Sequence, residues 1–413
     1  MLMSAEAVGQ RRYVRGQSHH RPVLSPTILQ GLRDLGYRDT AAAIAALIDN
    51  AIDAQADQVD IVIDAPAGQV RAMAVIDNGL GMVPEMMRAA CAVGATCSFG
   101  DGPHLARSGF GLPSAPFSVG RRFHLLSAPA GSPLHGLTVD LDDLAGADAN
   151  ICEATRTELP GFVSSFLVRE RRGWSAGTIV LIEVLDRLTT TSARNLGDQL
   201  RFRLGYVFGR FAARIALSLD GLAIRAIDPL FLESVPGSPP TNDVEAPLCG
   251  EDKGVIITPI GGGKVAIRTA LLPDTLSRSS RGASISPTAA ERQAIVRDMS
   301  GLVVSRLGRR LTVLPTTPIF HFGTADRPVR AELDFTPDLD DLFAPALSLQ
   351  QVQVSPIVWE ALRTGGAVQH LELLRRETAS RRKRQWQSDA PPAVIATASP
   401  RRRNRCLKQG RAS

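Results

Sequence analysis

Three short segments within the first 115 residues carry polar and glycine residues that could together form a ligand site. They are Leu47-Ile48-Asp49-Asn50-Ala51-Ile52-Asp53-Ala54, Asp77-Asn78-Gly79-Leu80-Gly81-Met82 and Arg107-Ser108-Gly109-Phe110-Gly111-Leu112. An amide oxygen is a hard ligand of the kind that Mg²⁺ accepts. Backbone N–H groups ahead of a helix bind phosphate. In this order, the three segments predict a nucleotide pocket.

The first segment predicts a helix whose positions 46, 50 and 53 share one face, because they are four and three residues apart. On this face, the side-chain oxygen of Asn50 would bind Mg²⁺ beside phosphate and water oxygens. Asp53, one turn further on, would bind a water of the same ion or a sugar or base group. The alternative is that Asp49 and Asn50 only form a polar patch on an amphipathic helix.

The second segment supplies a carboxylate and two glycines. A buried Asp77 would accept a hydrogen bond from the exocyclic amine of adenine, where guanine presents an acceptor instead. Gly79 and Gly81 would allow backbone angles and a close approach that a Cβ blocks. An ordinary Asp-Asn-Gly turn is the alternative. In the third segment, Gly109, Phe110 and Gly111 would form a lid whose N–H groups face phosphate, ahead of a helix that begins near Leu112.

Alternating and periodic apolar residues predict the elements that must hold these segments. Helices are expected from Asp39-Thr40 to about Ala54, at 84–93 and at about 192–213, with strands at 59–64, 70–77, 122–127 and 177–184. A Pro- and Gly-rich stretch at 235–250 predicts a boundary. Beyond it, strands are expected at 254–259, 265–271 and 301–313, and helices at 287–298 and 356–363. The resulting organisation is a flexible leader (1–22), a nucleotide-binding domain (23–240), a second α/β domain (241–374) and a disordered basic tail (375–413) with a short helical extension.

Composition limits the class of protein. A chain of 413 residues exceeds one typical core, which predicts two domains. Residues 375–413 hold twelve Lys and Arg residues against two acidic ones, a charge of +10, so the rest of the chain carries −4 within the total of +6. The apolar runs are too short for a membrane helix, and no secretory pattern is recognised. The five cysteines form no CxxC pair, which favours reduced thiols and a cytoplasmic location.

On these motifs, the chain resembles the Bergerat-fold (GHKL) ATPase superfamily of gyrase B subunits, large heat-shock chaperones, sensor histidine kinases and MutL repair proteins, and is most similar to the MORC-like bacterial branch. The resemblance implies a two-layer α/β sandwich that binds ATP and Mg²⁺, followed by a transducer-like α/β domain. It implies Asn50 as the Mg²⁺ ligand, Asp77 as the adenine reader and Thr178 as its support. Residues expected to bind the nucleotide are Asn50, Asp53, Asp77, Gly79, Gly81, Met82, Arg107, Gly109, Phe110, Gly111, Leu112 and Thr178.

The chain departs from the family pattern where hydrolysis takes place. The general base of the family is a glutamate four residues before the metal-binding asparagine, and Ala46 stands there. Asp49 points roughly 60° away from Ala46 around the helix and is therefore a weak substitute for the base. The catalytic residue is unknown. Leu349 stands where a phosphate-binding lysine of the second domain aligns, and Ala106 replaces the first lid glycine.

These losses predict an ATP·Mg-binding conformational switch whose hydrolysis is weak or absent, that is, a pseudoenzyme candidate. The alternative is an active GHKL-type ATPase clamp that acts on DNA in repair or defence, with Asp49 or a partner residue as the base. A histidine kinase is disfavoured because no phospho-acceptor histidine helix precedes the ATP domain. A homodimer is expected. The basic tail 376–413 would bind nucleic acid, and the alternative is that it only keeps the protein soluble.

Overall fold

The computed structural model describes residues 36–91, 111–144, 152–232, 250–273, 287–346 and 348–389, together with residues 31, 33, 34, 104–106 and 109. These residues form an N-terminal unit (36–232) and a C-terminal unit (250–389), each built on its own β-sheet. The predicted α/β class is confirmed. The predicted domain limit at 240/241 and the leader 1–22 lie outside the described residues.

The N-terminal unit has an eight-stranded sheet in the order β5-β4-β3-β6-β2-β1-β7-β8. Its strands are β1 (Gln58–Asp64), β2 (Ala72–Asp77), β3 (Gly120–Ala128), β4 (His135–Asp140), β5 (Thr155–Arg156), β6 (Gly177–Leu185), β7 (Ala216–Leu219) and β8 (Leu222–Ala223). Its helices are α1 (Thr40–Asp53), α2 (Pro84–Ala90), α3 (Gly111–Val119), α4 (Leu141–Leu144), α5 (Gly161–Arg169) and α6 (Ala193–Val207). All pairs are antiparallel except β1 with β7.

Helix α1 forms as the sequence predicts. Asp39 is its N-cap, and its carboxylate accepts a hydrogen bond from the N–H of Ala42 at 2.9 Å. The alanine-rich run that follows has high helix propensity and small side chains, so α1 can pack closely on the sheet. Residues from Thr40 to Asp49 are all buried, whereas Asn50 is half-buried.

Helices α1, α3 and α6 cover one face of this sheet and enclose its larger core with the apolar residues of β1, β2, β3 and β6. The opposite face is partly covered by α5, whose Val163, Phe166 and Leu167 pack on Ile76 and Ile179. Neither β4 nor α5 is predicted from the sequence. Both elements are short, so local sequence patterns indicate them only weakly. Their packing in the two cores of the N-terminal unit stabilises them.

The C-terminal unit has a five-stranded sheet in the order β12-β11-β13-β10-β9. Its strands are β9 (Glu251–Ile260), β10 (Gly263–Leu271), β11 (Leu302–Arg306), β12 (Arg309–Leu314) and β13 (Val329–Phe335), and its helices are α7 (Pro287–Asp298), α8 (Asp340–Phe343), α9 (Pro356–Thr364) and α10 (Ala367–Asp389). The apolar side chains of α9 and α10 form the core against one sheet face.

The single strand predicted at 301–313 is wrong, because the segment is a hairpin of β11 and β12. Leu307 and Gly308 form its two-residue turn with φ of +53° and +83°, the positive angles that such turns require. Three arginines flank this turn, so we call residues 302–314 the arginine hairpin. Helix α10 also continues to Asp389, well beyond the short extension predicted, and residues 390–413 lie outside the described chain.

The two units pack against each other. A small cluster joins Tyr206 and Ile227 of the N-terminal unit to Ile295, Met299 and Val303 of the C-terminal unit. The turn of the arginine hairpin lies beside Arg210, whose guanidinium contacts Asp334 of β13 at 2.7 Å. Within the described part of the chain, every helix is too short or too polar to cross a bilayer.

Candidate functional site

Asn50 lies in the last turn of α1, where its amide faces the first residue of α3. A Cβ built on Gly111 would lie 3.6 Å from both Oδ1 and Nδ2 of Asn50. Among the described residues, Nδ2 is buried and has no hydrogen-bond partner. A buried amide group without a partner is costly, so the arrangement suits a side chain that meets a ligand. The Oδ1 atom fits an Mg²⁺ ion that takes its remaining ligands from phosphate and water.

Asp77 ends β2 and is buried beside β6. Its Oδ1 accepts hydrogen bonds from the N–H of Gly79 at 2.9 Å and of Thr178 at 3.1 Å. Burial raises the pKa of Asp77 to about 6, and the two N–H donors oppose this shift. Among the described residues no donor reaches Oδ2. The carboxyl group is therefore oriented through one oxygen and can accept from a ligand through the other.

Close backbone approaches explain the glycines after Asp77. A Cβ on Gly79 would lie 2.6 Å from the carbonyl oxygen of Ala54, at the end of α1. Gly81 has φ of +68°, and a Cβ there would lie 2.2 Å from the carbonyl oxygen of Ala128, at the end of β3. Other residues would force the chain apart. The turn thus brings the ends of α1, β2 and β3 together.

Thr178 lies at the start of β6 and forms a small hydroxyl network under this turn. Its Oγ1 lies 3.0 Å from Oγ of Ser127 on β3, which accepts the N–H of Met82 at 2.8 Å and donates to the carbonyl of Gly177 at 2.8 Å. Sequence reasoning missed Ser127. The signal was a hydroxyl residue at the end of the apolar strand 122–127, directly opposite Thr178 in the register.

Asp53, in the last turn of α1, accepts hydrogen bonds from a neighbouring backbone segment. Its two oxygens accept the N–H groups of Leu105 and Ala106, at 2.8 and 2.7 Å. Burial raises its pKa, and these two N–H donors oppose the shift. The carboxylate therefore holds the backbone of residues 104–106, which we call the anchor segment, against the end of α1.

Only part of the predicted lid can be placed. Gly109 has φ of +65°, in the region that favours glycine. Gly111 and Leu112 form the first turn of α3, in agreement with the predicted start of this helix. Arg107 and Phe110 lie outside the described residues.

Both carboxylate oxygens of Asp49 take part in an ion pair that joins the two units. Nε of Arg309 lies 2.7 Å from its Oδ1 and 2.8 Å from its Oδ2, and both side chains are 3% exposed. Burial raises the pKa of Asp49, and the guanidinium of Arg309 opposes that shift. One turn before Asn50, Ala46 is buried and offers only a methyl group.

Leu349, where the resemblance predicts the loss of a lysine, is buried in the core of the C-terminal unit. Its carbonyl accepts a hydrogen bond from Nη1 of Arg309 at 2.9 Å. The neighbouring Gln350 accepts the backbone N–H of Arg38 at 3.2 Å, just before α1. This loop therefore contacts the N-terminal unit, but its side chain at position 349 faces away into an apolar core.

Comparison with known protein families gives a match to part of the N-terminal unit. A family model described as "Histidine kinase-, DNA gyrase B-, and HSP90-like ATPase" matches residues 37–166. The match contains Asn50, Asp77, Gly79 and Gly81, and it supports the Bergerat/GHKL superfamily and ATP binding for this part of the chain. No curated protein matches the sequence.

Proposed function

We propose that the N-terminal unit binds ATP with Mg²⁺ and that the protein is a nucleotide-dependent conformational switch with weak or absent hydrolysis. The observation that carries the proposal is a contrast within one site. The carboxyl of Asp77 and the amide of Asn50 each keep an atom available to a ligand. The groups that would activate water are missing or already engaged.

The binding half of the proposal rests on the positions of two side chains. Asp77 is oriented by two N–H donors so that Oδ2 can accept from the amine of adenine. Asn50 faces the start of α3, where N–H groups of a helix N-terminus favour phosphate. When bound, Mg²⁺ would neutralise phosphate charge, with Oδ1 of Asn50 as its protein ligand.

The loss of hydrolysis rests on the carboxylates of α1. A general base must accept a proton from the attacking water, and such catalysis contributes about 10²–10⁴-fold. Ala46 cannot do this. Asp49 is buried against Arg309, and Asp53 is hydrogen-bonded through both oxygens to the anchor segment.

The C-terminal unit is the proposed responder to nucleotide. Arg310 of the arginine hairpin donates to the carbonyl of Ile227 at 2.7 Å and lies 3.3 Å from Oδ1 of Asp228. Asp228 also accepts the N–H groups of Leu230 and Leu232. The sequence Asp228-Pro229-Leu230-Phe231-Leu232 resembles a landmark of the MORC-like branch, so its place at the contact between the units supports the proposed assignment to that branch.

The test combines a calorimetric titration of ATP and Mg²⁺ with a phosphate-release assay on the same preparation. The switch predicts binding without release, and Asn50→Ala and Asp77→Asn weaken the binding. Turnover at a rate typical of the superfamily, abolished by Asn50→Ala, would instead select the active clamp ATPase. An absence of binding contradicts both functions.

A nucleic-acid partner is a further part of the proposal. Near the end of α10, Arg381 pairs with Glu251 and Glu377, whereas Arg382, Lys383 and Arg384 are exposed. Three adjacent exposed cations favour phosphate contacts that weaken with salt. A salt titration of DNA and RNA binding by the wild type, by a triple alanine variant of these residues and by a chain lacking 390–413 tests this. Unchanged binding in both variants contradicts it.

We also propose a homodimer, on the resemblance to clamp-forming relatives alone. Sedimentation of the full chain with and without ATP and Mg²⁺ tests this. A monomer under both conditions at micromolar concentration contradicts it.

A further inference from the structure

The anchor segment is held from two sides. On one side, Asp53 of α1 accepts the N–H groups of Leu105 and Ala106. On the other, Nη1 of Arg306 donates to the carbonyl oxygens of His104 and Leu105, at 2.8 and 3.2 Å. The side chain of Leu105 is 3% exposed and belongs to the core of the N-terminal unit. The same short peptide is thus bonded to the nucleotide-site helix and to the other unit.

Arg306 ends strand β11 and is itself rigidly placed. Its Nε and Nη2 atoms donate to the two oxygens of Asp340 at 2.7 and 2.8 Å, in the bidentate geometry that fixes a guanidinium plane. The Arg306 side chain is 3% exposed, and that of Asp340 is 13% exposed. Asp340 therefore directs the remaining nitrogen, Nη1, toward the anchor segment.

We infer that Arg306 is a positioning residue of the nucleotide site, through which the C-terminal unit holds the anchor segment and, through it, Asp53 and the last turn of α1. The inference rests on the proposed ATP binding. Among the described residues, Arg306 donates its hydrogen bonds to Asp340 and to the anchor segment, and none of them goes to Asn50 or Asp77. It acts on Asp53, which lies one turn beyond Asn50 on the same helix face.

The arrangement suggests how the C-terminal unit can respond to nucleotide without a lysine at position 349. Contact with the phosphate is replaced by contact with the backbone that leads into the third segment. An arginine suits this role because its planar fork binds the carboxylate through two nitrogens and leaves the third for the carbonyl oxygens, a geometry that the single nitrogen of an ammonium group lacks. Any displacement of the anchor segment must therefore break bonds on one side or the other.

The first test follows amide hydrogen exchange in the nucleotide-free protein. Arg306→Ala should accelerate exchange at the amides of Leu105 and Ala106 by about tenfold or more, because their opening no longer breaks contacts to the C-terminal unit. The amides of Gly79 and Thr178, which donate to Asp77, serve as controls in the same molecule. Acceleration that is equal at all four amides, or absent, overturns the inference.

Two milder variants separate position from charge. Asp340→Asn removes the bidentate partner and should accelerate the same two amides to a smaller extent. Arg306→Lys keeps the charge and should behave like Asp340→Asn, because it loses the bidentate fork that orients the side chain on Asp340. Wild-type exchange in Arg306→Lys overturns the assigned geometry.

The second test measures the affinity for ATP and Mg²⁺. Arg306→Ala should weaken binding by about tenfold, a usual size for coupling between two sites. Arg194→Ala, at an exposed position of α6, is the matched control. Wild-type affinity in Arg306→Ala contradicts the inference alone. Absence of binding in the wild type contradicts the proposed function, while the exchange experiment still decides the role of Arg306 in holding the segment.

Discussion

Asp49 and Arg309 are 260 positions apart in the chain, yet the guanidinium Nε of Arg309 donates to both oxygens of the Asp49 carboxylate, at 2.7 and 2.8 Å. Arg309 also stacks over Phe208, with its guanidinium carbon 5.8 Å from the ring centroid, and donates to the carbonyl of Leu349. The side chain of Arg309 therefore contacts α1, the end of α6 and the loop that contains Leu349. Asp49, which directly precedes the proposed Mg²⁺ ligand Asn50, is thus bound by an arginine of the C-terminal unit.

Breaking this pair should destabilise the protein strongly. Arg309→Met leaves the Asp49 carboxylate buried without its partner, which costs about 3–5 kcal/mol of unfolding free energy in comparable cases. Arg71→Met, at the exposed pair with Asp64, should change it by less than about 1 kcal/mol. Urea denaturation of the two variants measures the difference. Similar losses of unfolding free energy in both variants would show that the buried pair contributes no more to stability than the exposed pair.

Restoring the base should restore hydrolysis if binding groups are intact. Ala46→Glu places a carboxylate one turn before Asn50, and phosphate release should rise by about 10²-fold or more over the wild type. Ala46→Gln has the same shape without the base and should not show the increase. A folded Ala46→Glu variant that binds ATP without faster release would place the defect elsewhere, with the missing lysine at Leu349 as the next candidate.

Asn50 should confer Mg²⁺ dependence on nucleotide binding. In Asn50→Ala, the ATP affinity measured with Mg²⁺ should fall by about tenfold or more, since a ligand of the ion is lost. The affinity measured in chelator should change little. Asn195→Ala, on the exposed side of α6, is the matched substitution. Equal losses with and without Mg²⁺ would argue against a metal-binding role for the amide.

Asp77 should make folding stability depend on pH. Its folded pKa of about 6 lies above the ordinary value near 4 for an unfolded chain, so between these values the folded state binds the proton more tightly. The unfolding free energy should therefore fall as pH rises from about 4 to about 6, by on the order of 2–3 kcal/mol from this group. Asp77→Asn should lack that component, and identical pH profiles for wild type and variant would contradict the raised pKa.

The same titration should act on ligand binding in the opposite direction. Protonation of Oδ2, the oxygen that would accept from the adenine amine, weakens this acceptor, so nucleotide affinity should decrease as pH falls below about 6. Asp77→Asn serves as the reference, because it retains the titration of the phosphate groups themselves. The difference between the two calorimetric profiles isolates Asp77, and a flat difference would exclude it as the adenine reader.

Much of the N-terminal unit can be predicted from local patterns in the sequence. The Asp39 cap and the alanine run predict α1, and alternation predicts β1 and β2, because helix and strand periodicities are properties of neighbouring residues. The Asp77 turn follows from its glycines. These elements bring Asn50, Asp77 and Thr178 to one end of the sheet. The hairpin at 302–314 was missed because a two-residue turn between apolar strands interrupts the pattern only briefly.

The partners of buried charged residues cannot be predicted from local sequence patterns. The sequence by itself determined that α1 carries Asp49, Asn50 and Asp53 at helical spacing and that an alanine stands four residues before Asn50. Only the tertiary structure decided that Asp49 pairs with Arg309 and that Asp53 holds the anchor segment. A buried carboxylate needs a partner, but nothing in its neighbourhood along the chain specifies which one, because the pairing depends on packing between distant segments. For the same reason, no local pattern indicates that Arg306 links the two units.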